Sequence, residues 1–217
     1  MPVRKIPKNY LGVTGSFASL KNGRMLGFES LLERDCMILL EFDDTVEKFE
    51  EQPVRVPGTK GTSPYVPDLL IHYKPSSKGK RVVLAEVKHT TDLAKNCEKY
   101  APKFERARVY AEARNWEFEI ITERECRPAR LPTLKFLREY LYFDPEPSQA
   151  EQILSTLEDA GGELKLNSLL NQLCSTDMEQ LTLVPVVWNL VATKQIMIDF
   201  DQPVDDKTLL SLPLLEY

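Results

Sequence analysis

The run RVVLAEVKH (residues 81–89) constrains this chain more than any other feature. From Val82 to Val87 it is apolar except for one acid. A near-continuous apolar stretch of this length reads as a strand buried on both faces, in a sheet covered by helices. Glu86 stands near its end and Lys88 follows. Side chains alternate across a strand, so these two share a face. A charge there is costly unless it is paired or bound to metal. Upstream, YVPDLLIHYK (65–74) is a second apolar run, and PSSKGK (75–80) between them has turn composition. Together they predict a β-hairpin. Pairing within it can bring Asp68, held in an extended approach by Pro67, beside Glu86 and Lys88.

Two carboxylates and an ammonium would then converge at a sheet end. Oxygen donors of this kind suit Mg2+, or Mn2+ in its place, which bind through one or two carboxylates and keep several waters. Such an ion can polarise a phosphodiester and lower the pKa of a bound water. Lys88 can orient that water or stabilise developing negative charge. A lysine beside two carboxylates stays protonated, which favours positioning over a general-base role. Asp68-x17-Glu86-x-Lys88 is by itself a weak pattern that many chains contain by chance. Its setting at the end of a central strand gives it weight, and Glu33 on the preceding helix offers a third carboxylate.

The remaining periodicities fill in an α/β architecture. Residues 29–43 place Leu32, Cys36, Leu39 and Leu40 on one helical stripe, with Ser30 as a cap. VEKFEEQPVRV predicts an early strand ending near Pro57. Residues 92–114 predict one long helix, and WEFEIITE a further strand. That order predicts a mixed sheet with helices on its faces. FDPEPSQ, with two prolines, is the best linker. Beyond it come three helical patterns (149–160, 164–173 and 178–193) and then QIMIDFDQPVDDKTLLSL, two short strands around a polar turn. Three helices and a β-wing make a winged-helix-like α+β domain. The expected organisation is therefore a basic arm over 1–24, the main domain over 25–143 and the small domain over 147–217.

Charge divides along the same line. The net charge of −5 hides 12 acidic and 3 basic side chains in residues 146–217, against 21 acidic and 25 basic before them. The basic part can meet phosphate; the acidic part would be repelled by it and reads as a protein-binding surface. Lys95, Lys99, Lys103, Arg106 and Arg108 could track phosphates, though a solvated helix face explains most such series. Gln52 could approach the site or simply end a strand, and His89, without a histidine partner, reads as structural or exposed. The four scattered cysteines have no CxxC pairing and read as reduced thiols in a cytoplasmic protein. Two histidines are too few for a His-rich zinc site. No stretch is apolar enough to span a bilayer, and the N-terminus lacks the apolar core of a secretory signal.

Pro67-Asp68 … Glu86-Val87-Lys88 resembles the PD-(D/E)xK nuclease superfamily and its restriction-endonuclease-like fold. More narrowly, the run from Glu29 to Pro53 (ESLLERDCMILLEFDDTVEKFEEQP) followed by these motifs resembles TnsA, the endonuclease subunit of heteromeric cut-and-paste transposases in prokaryotes. The resemblance spans roughly residues 25–125. It implies Glu33, Asp68, Glu86 and Lys88 as the active site. It also implies Mg2+ held by Asp68, Glu86 and the Val87 carbonyl, with Glu33 as a candidate additional ligand. The implied reaction is hydrolysis at the 5′ ends of the element, on double-stranded DNA. The implied partners are a DDE-type transposase subunit and an AAA+ ATPase regulator, the latter assigned to the acidic C-terminal domain. Some relatives carry Gln at the position of Glu86, so this chain holds the more standard nuclease set. Two other readings stay open: a stand-alone restriction or repair nuclease, and a non-catalytic assembly adaptor.

Overall fold

The structure, a computed structural model, describes residues 13–76 and 81–214. The chain divides into two units, Met1–Pro128 and Ala129–Tyr217.

The first unit begins with a hairpin, β1 (Gly15–Ser19) and β2 (Arg24–Phe28). An irregular basic arm was expected over 1–24. Residues 1–12 lie outside the described part, and most of the remainder is regular. Phe17, Leu26 and Phe28 are buried, which gives the ribbon an inner face. The turn is tied down by a buried acid of the next helix, α1 (Leu31–Phe42). Glu41 accepts from the Leu20 N–H at 2.7 Å, the Lys21 N–H at 3.1 Å and the Ser19 hydroxyl at 2.7 Å. Lys21 Nζ donates to the carbonyls of Asp43 and Val46. The Arg24 guanidinium grips both oxygens of Glu51 at 2.8 and 2.7 Å. These two cations therefore serve the fold and are not free for phosphate. Helix α1 starts at Ser30, whose hydroxyl accepts from the Glu33 N–H. Leu32, Cys36 and Leu40 of the predicted stripe are buried, and so are Asp35, Met37, Ile38 and Glu41. The helix is thus covered on most sides.

The central sheet has the order β3 (Val46–Glu51), β4 (Leu69–Tyr73), β5 (Val82–Val87), β6 (Glu117–Ile121). β3, β4 and β5 pair antiparallel, and β6 joins β5 in parallel. The predicted hairpin and the predicted central strand are both present, and every residue of β5 is buried. β3 stops at Glu51, not near Pro57, because Gln52 takes a positive φ of 44° and turns the chain out of the sheet. The long helix expected over 92–114 is two, α2 (Thr90–Lys95) and α3 (Cys97–Glu112). They meet at Asn96, whose side-chain amide bonds back to Asp92 at 2.7 Å and competes with helical continuation. Leu70, Val82 and Leu84 pack with Phe104, Ala107 and Ala111 of α3. By alternation Val83, Ala85 and Val87 point to the opposite face, and α1 contacts β5 and β3. A mixed sheet between helices is the restriction-endonuclease-like arrangement. The short α4 (Glu123–Cys126) closes this unit.

The second unit holds α5 (Leu131–Leu137), a 3-10 turn over Arg138–Tyr142, α6 (Pro147–Asp159), β7 (Glu163–Lys165), α7 (Leu166–Leu173), α8 (Asp177–Ala192) and β8 (Leu209–Ser211). β7 pairs antiparallel with β8, and Met197 bridges Ser211 on the other side. Helices α6, α7 and α8 with this small sheet form the winged-helix arrangement. The expected boundary between 143 and 147 needs correction, because the division falls at Pro128/Ala129. Phe136 of α5 stands edge-on to Trp188 of α8 at 5.3 Å. The Asn189 side-chain amide donates to the carbonyls of Tyr140 and Phe143, both at 2.8 Å. Those bonds tie residues 131–143 to α8, so FDPEPSQ lies inside a unit. On this division the second unit carries 14 acidic and 6 basic side chains, and the first 19 and 22. No described helix is long and apolar enough to cross a membrane.

Replacing Glu41 with Ala leaves two turn N–H groups without their acceptor. A loss of about 1–3 kcal/mol in unfolding free energy is expected, measured by urea denaturation. A change within error would show that the carboxylate does not anchor the hairpin.

Candidate active site

In β4–β5, Leu69 opposes Ala85. One step further, the register places Asp68 opposite Glu86, on the face that carries Leu70 and Leu84. The backbone holds this end from both sides. Asp68 O accepts from the Gln52 N–H at 2.8 Å, and the Lys88 N–H extends the ladder to Ile121 O at 3.0 Å. The Gln52 N–H thus extends the β3–β4 pairing to Asp68, and the positive φ at Gln52 turns the chain away directly after that bond.

Lys88 Nζ lies 3.1 Å from Asp68 Oδ2, 2.9 Å from Glu86 Oε1 and 3.1 Å from the Val87 carbonyl. The Val87 N–H donates to the same Asp68 oxygen at 2.8 Å. The Tyr65 hydroxyl donates to the other oxygen of Glu86. Glu86 is 4% exposed, and its acidity reflects this. Burial, and then the charge of Asp68, push its pKa up to about 7, against the pull of Lys88 and Tyr65. Burial alone would lower Lys88, but Asp68 and Glu86 outweigh it and hold the ammonium above the ordinary lysine value. Tyr65 is raised by burial and by Glu86, so it remains a donor.

Three oxygen donors thus surround one cationic nitrogen: Asp68 Oδ2, Glu86 Oε1 and Val87 O. Two carboxylates and a carbonyl are a donor set suited to a hard divalent cation, with water completing the shell. Among the described residues, no group of three or more His, Cys, Asp or Glu side chains is placed to hold a metal ion. Glu33 stands outside the trio. Its oxygens accept from the Glu29 N–H at 2.8 Å and the Ser30 hydroxyl at 3.0 Å, so it caps its own helix. Burial and the charge of Asp68 nonetheless raise it to about 7, against its cap bonds and Lys88. His89 is half-exposed and faces Glu123 at 3.4 Å.

The site opens onto a cleft of about 440 Å3, also lined by Arg55, Lys99, Tyr100 and Lys103. Tyr65 and Arg55 escaped the sequence reading, because nothing in their spacing distinguishes them. The one available hint is that Tyr65 shortly precedes Pro67-Asp68.

Two family models match the chain. "TnsA-like endonuclease N terminal" covers residues 43–123 and "TnsA endonuclease C terminal" covers 130–200. The chain belongs to the TnsA endonuclease family. Asp68, Glu86 and Lys88 lie inside the first match and Glu33 lies before it, while the second match begins one residue after the start of the second unit. No curated protein matches the chain. TnsA-like proteins are nucleases of DNA transposition that act on DNA with transposase partners, and the restriction-endonuclease-like unit with its acidic cluster is consistent with that role.

The raised pKa values of Glu86 and Glu33 set a pH dependence. Each folded carboxyl keeps its proton up to about 7, whereas the unfolded chain releases it near 4.5. The native state therefore binds more protons between these limits. This part of the stability is full below pH 4.5 and is lost as pH rises through 7. Glu86→Gln should flatten that decline in chemical denaturation of the metal-free protein. An unchanged slope would show that Glu86 is ionised throughout.

Proposed function

We propose that this TnsA-family chain hydrolyses the 5′ ends of a transposon in a Mg2+-dependent reaction. It does so with a DDE-type transposase subunit and an AAA+ ATPase regulator. The observation that carries the reading is the convergence of Asp68, Glu86 and the Val87 carbonyl on one cation position. These donors would hold Mg2+, or Mn2+ in its place. The bound ion would supply Lewis-acid polarisation of the phosphodiester and activation of water.

The chain's own groups do the rest. Lys88 stays protonated, so it serves as a hydrogen-bond donor and a positive charge against the charge that develops on the phosphoryl group. A proton-accepting role does not suit it. Tyr65 fixes the rotamer of Glu86 by holding the oxygen that Lys88 leaves free. Glu33 acts through its charge and its helix cap. The cost of burying Glu86 beside Asp68 weighs against a purely structural adaptor, which would be served as well by an apolar residue there.

The second unit suits the AAA+ ATPase regulator better than DNA. Its excess of acids repels phosphate. The first half of α8, where a winged helix would present a reading helix, exposes Met178 and Leu181 among Asp177 and Glu179. Those are contacts for a protein.

In a reaction reconstituted with transposase partners on transposon-end DNA, Asp68→Ala and Lys88→Ala should each lower 5′ cleavage about 100- to 1,000-fold. Folding and partner binding should survive. Paramagnetic resonance should detect Mn2+ bound by the wild-type chain and not by Asp68→Ala. Undiminished 5′ cleavage in either variant would overturn the assignment.

A further inference from the structure

The basic residues of the first unit separate into those already engaged and those left over. Arg106 donates to the Pro57 and Ser63 carbonyls and to the Thr62 hydroxyl, so it braces the 57–63 loop. Arg108 pairs with Glu105 on its own helix at 2.7 Å. Arg81 is held between Glu117 and Glu119. Lys21 and Arg24 are consumed by the hairpin, as described above.

Arg55, Lys99 and Lys103 are different. All three line the cleft that contains Asp68, Glu86 and Lys88, and none forms an ion pair with an acid among the described residues. Lys99 and Lys103 stand one helical turn apart on α3. Their ammonium groups lie 5.8 and 6.0 Å from the centre of the same Tyr100 ring. That ring is fixed twice: its hydroxyl donates to Asp92 at 2.7 Å, and its face stacks on Phe104 at 5.5 Å. Tyr100 therefore steadies both lysine stems beside the cleft. Arg55, which follows the end of β3, brings a third cation to the same opening.

We propose that Arg55, Lys99 and Lys103 form a clamp for the phosphodiester backbone of double-stranded DNA, seating the strand across Asp68, Glu86 and Lys88. The inference rests on the nuclease reading above and adds the residues that position its substrate. The need for such a clamp is electrostatic. A polyanion must approach two carboxylates, with Glu29 also at the mouth of the cleft. Lys88 is occupied by those carboxylates, so attraction has to come from the rim. Cations there neutralise phosphates flanking the reactive one and carry no sequence preference.

Binding of the full-length protein to a short fluorescent duplex, followed by anisotropy over a potassium chloride series without divalent cation, tests this. The slope of log affinity against log salt falls by about 0.9 for each phosphate that is no longer neutralised, so by about 2.7 in the Arg55→Ala/Lys99→Ala/Lys103→Ala variant. Lys99→Arg/Lys103→Arg should retain the wild-type slope, which separates charge from folding. Arg108→Ala/Lys165→Ala/Lys207→Ala removes the same charge elsewhere and should leave the slope nearly unchanged. An unaltered slope in the clamp variant, an equal loss in the control, or no salt-dependent binding by the wild type would overturn the clamp. The nuclease reading fails separately, through cleavage that ignores Asp68, and that failure leaves the salt slopes to decide the clamp on their own.

Discussion

A buried glutamate at the end of a strand covered on both faces is the constraint on which this structure depends. Glu86 cannot be solvated, so the fold must supply its partners. Lys88 arrives by strand alternation two residues on, and Tyr65 comes from the loop before β4. Asp68, opposite in the sheet, worsens the repulsion and is tolerated because Lys88 and the Val87 N–H hold it. The ammonium acts as the cluster's own counter-cation. A divalent ion with the same oxygen donors would relieve the same repulsion with twice the charge, so the protein's internal electrostatics already favour a cation at this point.

The geometry that keeps these groups together is mostly backbone. Register places Asp68 against Glu86, the Gln52 N–H holds the Asp68 carbonyl, and the positive φ of Gln52 then spends a little conformational strain to turn the chain out of the sheet. Around this end, acids of α1 have structural posts. Glu33 caps the helix, Asp35 pairs with Arg127 at 3.0 Å, and Glu41 holds the β1–β2 turn. Buried acids in one helix thus divide between binding the fold's edges and shaping the field at Asp68. A single carboxylate among them cannot be assigned to catalysis by its burial alone.

What could be read in the sequence follows from how local each signal is. Period-two alternation in 82–88 and the turn composition of 75–80 (of which 77–80 lie outside the described residues) are local signals, and they pointed to the β4–β5 pairing, the buried strand and the meeting of Asp68 with Glu86 and Lys88. The helix of residues 31–42 and its Ser30 cap were equally readable. The division between units was not, because the contacts that set it join Phe136 to Trp188 and Tyr140 to Asn189, about fifty residues apart in the chain. The β1–β2 hairpin was hidden by its basic composition, since its lysine and arginine are satisfied by acids and carbonyls well downstream. Tyr65 escaped for the same reason: its importance is a bond to a residue 21 positions away.

Charge explains why one chain needs two such different units. A winged helix that faced DNA would place cations on its exposed helix and wing. Here the wing between Met197 and Leu209 contains Asp199, Asp201, Asp205 and Asp206 against Lys207 alone. These acids flank a polyanion's approach with repulsion that weakens only as salt screens it, over about 10 Å at 0.1 M. The first unit has the small basic excess that suits phosphate, and many of its described cations are already bound to carboxylates or carbonyls. Among the described cations without an ion pair, Arg55, Lys99 and Lys103 are the ones that lie at the rim of the cleft that holds Asp68 and Glu86. On the proposed reading, weak and local attraction would leave productive seating to partners that bring the DNA end, and the acids of the second unit would disfavour a competing site for phosphate there.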